Sequence, residues 1–292
     1  MNAFLKSVRN YFSLVKFGHT VFAMPFAFIG FSLAISKPEY DLSLRLLLLV
    51  ILCMIFARNT AMGFNRLADK DFDALNPRTR KREIPAGIIS ARAATVFIII
   101  NAVLFIITTG FINRLTLFLS PVALMVIISY SLTKRVTSLC HFVLGLGLSL
   151  APIGAYISVT GKFDVLPVIY SLIVLSWCSG FDIIYALQDD EFDKSNRLYS
   201  LPSSTGRKKA LSISIFVHII TFVLVLTAGF YGKDGILFWI GAIIFAFLLI
   251  YQHSIVSHDD ITRVTLAFQT VNGIASIIFS AFAILDFYFE YH

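Results

Sequence analysis

The chain has 292 residues, of which 58% are hydrophobic and only 14% charged, and its mean hydropathy is +0.83. A soluble domain carries about 25% charged residues, so this composition excludes a soluble globular protein, and no hydrophilic stretch is long enough to fold as a separate domain. The net charge of +7 lies in short loops between apolar runs, which points to a lipid bilayer as partner and away from nucleic acid.

Residues 1–16 are basic through Lys6, Arg9 and Lys16. The apolar run after them has no small-residue cleavage site and reads as a first span rather than a signal peptide. A helix needs about 20 apolar residues to cross the hydrocarbon. Nine runs qualify: 18–36, 44–64, 92–111, 115–132, 138–159, 165–188, 210–230, 235–252 and 265–287. The expected fold is therefore an all-α membrane protein, a single polytopic domain over residues 1–292. His19, at the mouth of the first run, is the one histidine singled out for testing. Cys53, Cys140 and Cys178 fall inside apolar runs without paired spacing, and read as small buried hydrophobes. The fifth run holds GLGLSLAPIGAY. Its glycines suit close helix packing, Pro152 is expected to kink the helix, and no basic residue or helix start follows to make a nucleotide loop.

Lys and Arg fix the orientation. With the N-terminus in the cytoplasm, the far-side loops keep only Lys37, Arg45, Arg114, Lys162 and Lys233, and nearly all the others fall inside. The same assignment puts two acidic stretches on the cytoplasmic side with the Lys134–Arg135 loop between them.

The first stretch runs from Asn65 to Gly87, NRLADKDFDALNPRTRKREIPAG. At about 100° per helical residue, Asn65, Asp69 and Asp73 drift only about 40° per step and share one helix face. Asp71 points elsewhere. The second stretch, FDIIYALQDDEFDKSN, holds Asp182, Tyr185, Asp189 and Asp193, and the seven-residue step from Asp182 to Asp189 again keeps one face. Ionised side chains gathered at membrane helices default to functional candidates. Aspartates without Cys or His partners suit Mg²⁺, a hard cation held by a few carboxylates, water and phosphate oxygens. Asp69, Asp73, Asp189 and Asp193 are the expected ligands. Arg78, Arg82, Lys134, Arg135, Lys194 and Arg197 are the basic groups placed to meet a diphosphate. Arg58 lies two turns deeper than Asn65 on nearly the same face, and is read either as salt-bridged to an acidic residue or as an anchor for an acceptor carboxylate. Tyr130 and Tyr185, each one turn before a charged site residue, are the aromatic rings chosen to steady a cation.

At these residues the chain resembles the UbiA superfamily of intramembrane prenyltransferases over almost its full length. The motif Asn-xxx-Asp-xxx-Asp is met by Asn65, Asp69 and Asp73. The segment that follows it is met by Asn76, Pro77, Arg78, Thr79, Arg82, Pro85 and Gly87. The second motif is met by Asp182, Tyr185, Ala186, Asp189 and Asp193, and a Tyr-xxx-Lys-Arg signature by Tyr130, Lys134 and Arg135. The resemblance implies a nine-helix bundle with a central cavity, in a bacterial inner membrane with the active site toward the cytoplasm. It also implies Mg²⁺ and a polyprenyl diphosphate held between the two motifs. Departure of diphosphate would give an allylic cation, an electron-rich aromatic ring would attack it, and the ring would lose a proton.

Within the superfamily the chain is similar to the 4-hydroxybenzoate polyprenyltransferase branch of quinone biosynthesis. It departs from the ubiquinone enzymes at Arg66, where they usually carry Asp, and at Glu83, where they carry Pro. Both departures bear on the acceptor, and a hydroxynaphthoate of a menaquinone pathway competes with hydroxybenzoate. The reading from another class is an ion- or proton-coupled transporter. Transport sites usually lie near the midplane on broken helices, whereas these carboxylates sit at span ends that run into basic loops.

Overall fold

The computed structural model describes residues 2–15 and 24–290, and they are helical with no strand among them. His19 and Lys16 lie outside the described residues. The chain opens with α1 (Asn2–Leu14), an amphipathic helix outside the nine apolar runs, and α2 (Met24–Ile35), the described part of the first expected span. Next come α3 (Leu44–Ala68) and the short α4 (Lys70–Leu75), then α5 (Ala91–Gly110), α6 (Arg114–Thr133), α7 (Cys140–Thr160) and α8 (Val165–Ala186). Two further short helices, α9 (Asp190–Ser195) and α10 (Leu201–Thr205), lead to α11 (Arg207–Gly232), α12 (Ile236–Ser254) and α13 (Asn272–Glu290). Among the described residues 8 helices are long and apolar enough to cross a membrane, each within a few residues of an expected span, and α2 is a shorter apolar helix beside them. The described residues thus give 8 of the nine expected spans in full, and the first expected span only as a helix of 12 residues.

Local chemistry sets the ends. Ser43 and Ser90 cap α3 and α5 by accepting from the amides of Leu46 and Ala93, and Asn113 with Thr116 makes a reciprocal capping box on α6. Each satisfies amide donors that the first turn leaves unpaired. α7 ends at Gly161 in the left-handed region (φ 65°). Asp164 then caps α8, so the two helices form a tight antiparallel pair.

α8 runs through the interior. Tyr170, Ile173, Val174, Trp177, Cys178 and Phe181 are all buried, because α7, α11 and α2 pack around it. Gly145 lets α7 come this close: a Cβ there would stand 2.4 Å from the Leu175 carbonyl oxygen. Gly30 of α2 meets the Pro152 carbonyl in the same way, at 2.0 Å. Gly30 and Gly145 therefore act in packing, whereas Gly154 has open space beside it. α7 continues through Pro152 as a single helix. Cys140 and Cys178 are buried and Cys53 partly so, all three as free thiols. At the end of the bundle away from the acidic stretches, Lys37 joins α2 to α7 and α8 through Tyr156 (2.7 Å) and Asp164 (2.6 Å).

Candidate active site

The two acidic stretches meet at one end of the bundle. α3 stops at Ala68 because Asp69 leaves the helical region (φ −90°, ψ 6°). The amides of Asp69 and Asp73 still reach back four residues, to Asn65 (3.0 Å) and Asp69 (2.7 Å), so the shared face survives the break. α8 likewise gives way to a 3₁₀ turn, Leu187–Asp189, before α9. That turn is tighter than α-helix, and it separates two residues expected to act on one face. Asp182 turns to His141, whose Nδ1 lies 2.7 Å from its Oδ2, while Asp189 turns toward the loop after α4.

That loop crosses to the second motif. Asn76 donates from Nδ2 to Asp189 Oδ1 at 3.0 Å. Arg78 donates from Nε to the same oxygen at 3.0 Å and from Nη2 to Oδ2. Its Nη1 donates to the Tyr185 hydroxyl at 3.1 Å. The loop is shaped for this: Asn76 Oδ1 accepts the Arg78 amide (2.9 Å), and the Thr79 hydroxyl donates to the Asp73 carbonyl (3.2 Å). Arg82 holds both Asp73 oxygens, at 2.7 and 2.8 Å.

The loop after α6 supplies the other cations. Lys134 Nζ is 2.7 Å from Asp193 Oδ1, and Arg135 reaches Asp69 at 3.4 Å, with its guanidinium 5.4 Å from the Phe72 ring centroid. Asn65 donates to Asp69 at 3.2 Å. Burial opposes the charge of Lys134, but Asp193 outweighs it and holds its pKa above the ordinary lysine value. Burial likewise opposes Arg78, and the bond to Asp189 raises its pKa. Burial, then the neighbouring Asp73, push Asp69 above the usual carboxylate range, against the pull of Lys134 and Arg135. On the outer side Arg207 grips Asp190 through two bonds, at 2.7 and 2.9 Å, tying α9 to the start of α11.

Other expected residues lie apart from this cluster. Lys194 and Arg197 are exposed, and neither forms an ion pair among the described residues. Arg58 and Tyr130 lie deeper, within electrostatic reach of one another, with buried Arg66 close to both. Asp71 is exposed, as its place on the helix requires.

Asn76, His141 and Phe268 were not singled out from the residues. Asn76 carried a signal in its turn-forming Asn-Pro-Arg-Thr segment. His141 carried none, because its partner lies 41 residues away. Its Nε2 accepts the Leu201 amide at 3.2 Å; in the neutral ring this leaves Nδ1 as the donor to Asp182.

The donor chemistry fits a hard divalent cation. The carboxylates lie as two pairs, Asp69 beside Asp73 and Asp189 beside Asp193. Among the described residues no three acidic or imidazole groups already surround one point. Such a site suits Mg²⁺, which binds one or two carboxylates and completes its shell with water and phosphate oxygens.

Comparison with known proteins agrees with this architecture. Residues 23–279 match the model of the UbiA prenyltransferase family. The chain is 28% identical to the 4-hydroxybenzoate octaprenyltransferase of Tolumonas auensis, over 82% of this chain and 83% of that one. It is 27% identical to the enzyme of the same name from Aliivibrio fischeri, over 81% and 82%. A UbiA homologue from Aeropyrum pernix K1, solved in its apo form, superposes with a TM-score of 0.80 at 28% identity, covering 92% of this chain and 98% of that one. A homologue from Archaeoglobus fulgidus bound to DMAPP and Mg²⁺ shares the fold, with a TM-score of 0.76 at 22% identity over 96% and 99%. The chain belongs to the UbiA family and is an integral membrane prenyltransferase.

Proposed function

We propose that the protein transfers a polyprenyl group from polyprenyl diphosphate to the ring of an aromatic acid of the 4-hydroxybenzoate type, in quinone biosynthesis, at the cytoplasmic face of a bacterial inner membrane. One observation carries the reading. The ends of α3 and α8, far apart in the chain, are joined through Asn76, Arg78 and Asp189 into one patch of carboxylates and guanidinium groups. Relatives named for octaprenyl transfer to 4-hydroxybenzoate support the substrate class, and the A. fulgidus homologue solved with DMAPP and Mg²⁺ supports the metal.

The expected metal ligands are Asp69, Asp73, Asp189 and Asp193, with Asn65 orienting Asp69. Mg²⁺ bound there would offset the charge of the departing diphosphate. The chain's own cations share that task. Arg78, Arg82, Lys134 and Arg135 already face the carboxylates, and are placed to turn to phosphate oxygens as charge builds on the leaving group. Lys194, although exposed, is assigned to the rim of the same site. The prenyl C–O bond breaks as diphosphate departs. A ring carbon then forms the new C–C bond, and the ring proton is lost. Tyr130 offers a ring face to the cation, and the apolar bundle keeps water from it. Tyr185, whose ring already meets Phe268 and the Arg78 guanidinium, acts through its hydroxyl on Arg78. Arg58 is assigned to the acceptor carboxylate.

The Arg66 and Glu83 departures give a specific ground for a hydroxynaphthoate as the competing acceptor, since the two side chains lie within electrostatic reach of each other beside Asp73. Purified protein, Mg²⁺ and a polyprenyl diphosphate should release diphosphate and form a prenylated acid with one of these acceptors. Diphosphate-independent ion flux in liposomes, with no prenylated product, would support the transporter instead.

A further inference from the structure

The last span does not begin as an ordinary helix. Residues Leu266–Val271 wind as a π-helix, a rare form that recurs at functional sites. This turn is held in place by two side chains with no exposed surface or nearly none. Asn272 donates from Nδ2 to the carbonyls of Ala267 (3.0 Å) and Phe268 (3.3 Å). Its Oδ1 accepts the Trp177 indole N–H at 3.1 Å. Both residues are fully buried, so the wide turn is a braced feature rather than a frayed end.

What the turn delivers is Phe268. Its ring lies 4.1 Å from that of Tyr185 at 28°, a stacked pair, and meets Phe181 edge-on at 5.4 Å. Tyr185 in turn accepts Arg78 through its hydroxyl, and the Arg78 guanidinium carbon lies 5.6 Å from the Tyr185 ring centroid. Arg78 is the side chain that grips Asp189. A continuous line of contacts therefore runs from the π turn to the second acidic motif.

We infer that Phe268 is a positioning residue for the diphosphate end of the site: the π turn sets its ring flat against Tyr185, which keeps the Tyr185 hydroxyl on Arg78 and Arg78 on Asp189 of the second acidic motif. The inference rests on the proposed reaction. A flat ring restricts rotation of Tyr185 in a way that an aliphatic side chain of similar bulk does not. Aromatic pairs contribute enough beyond their buried area to shift an equilibrium by several-fold to about tenfold.

The test is steady-state kinetics on wild-type, Phe268→Leu, Phe268→Met and Phe268→Tyr protein, each also in a Tyr185→Ala background, with thermal unfolding alongside. Phe268→Leu and Phe268→Met should raise KM for the prenyl diphosphate about five- to tenfold, the range set by the loss of one aromatic pair. KM for the aromatic acid should stay within about twofold, and Phe268→Tyr, which keeps the ring, should restore the wild-type value. In the Tyr185→Ala background the Phe268 substitutions should add nothing, because coupled residues fail to add. The inference is overturned if both KM values stay put while unfolding temperature and kcat fall together. It is equally overturned if the two sets of effects multiply. Should the wild-type protein transfer no prenyl group, the proposed reaction itself falls, an outcome seen before any variant is made.

Discussion

Arg78 and Asp189, 111 residues apart, are joined by two bonds, from Nε to Oδ1 at 3.0 Å and from Nη2 to Oδ2. The pair clamps the loop after the first motif onto the second, and it depends on the planar fork of a guanidinium, which a lysine lacks. Arg78→Lys should therefore lower kcat/KM for the prenyl diphosphate by about tenfold, the order expected when one charge-assisted bond is lost, with KM for the acceptor unchanged. Initial-rate measurements at varied diphosphate substrate check this.

Asp69→Ala and Asp189→Ala should each reduce turnover by at least about 100-fold, the scale for losing one preorganised electrostatic contact to a developing charge. Both variants should still insert in the membrane. Asp71→Ala, at an exposed position, should stay within about twofold of wild type, as substitutions away from such contacts do. Turnover by purified protein, normalised to the amount inserted, separates the three.

Two glycines predict opposite outcomes from one substitution. At Gly30 a Cβ would stand 2.0 Å from the Pro152 carbonyl oxygen, a backbone atom that cannot swing away, whereas at Gly154 nothing lies within 4 Å. Gly30→Ala should destabilise by about 1–3 kcal/mol or more through overpacking. Gly154→Ala should be neutral or stabilise by up to about 1 kcal/mol, since alanine is the better helix former. Thermal unfolding in detergent reads both.

The Lys37–Asp164 pair sets a pH window for stability at the opposite end of the bundle. The hydrogen bond from Lys37 holds the Asp164 carboxyl below its usual range. Its contribution is present at neutral pH and is lost as pH falls through that lowered pKa. Burial opposes the Lys37 charge, but the bonds to Asp164 and Tyr156 outweigh it and raise its pKa. That contribution is complete below the ordinary lysine pKa and is lost as pH rises through the raised one. Both side chains are more than a third exposed, so the effect is under about 1 kcal/mol. Unfolding temperature followed across pH should fall at both limits, and Lys37→Met should flatten the profile.

The spans were legible because lipid demands long apolar runs whatever their neighbours are. The spacing of Asn65, Asp69 and Asp73 was legible because it is a property of a single helix. Contacts made between elements were not. Leu187–Asp189 tightens into a 3₁₀ turn because Asp189 is drawn to Asn76 and Arg78, and nothing local marks it. His141 finds Asp182 only once α7 and α8 are packed. The π turn before α13 exists through Trp177, 95 residues from Asn272. Amphipathic α1 is not legible as an apolar run because one of its faces is polar.

The most direct test is calorimetric titration with a non-reactive thiol-linked polyprenyl diphosphate analogue, with and without Mg²⁺, on wild-type, Asp69→Ala and Asp189→Ala protein. If both motifs hold one magnesium diphosphate, binding will require the metal and will be lost on either substitution. Binding of equal strength without Mg²⁺, or undiminished when either motif is disabled, would contradict it.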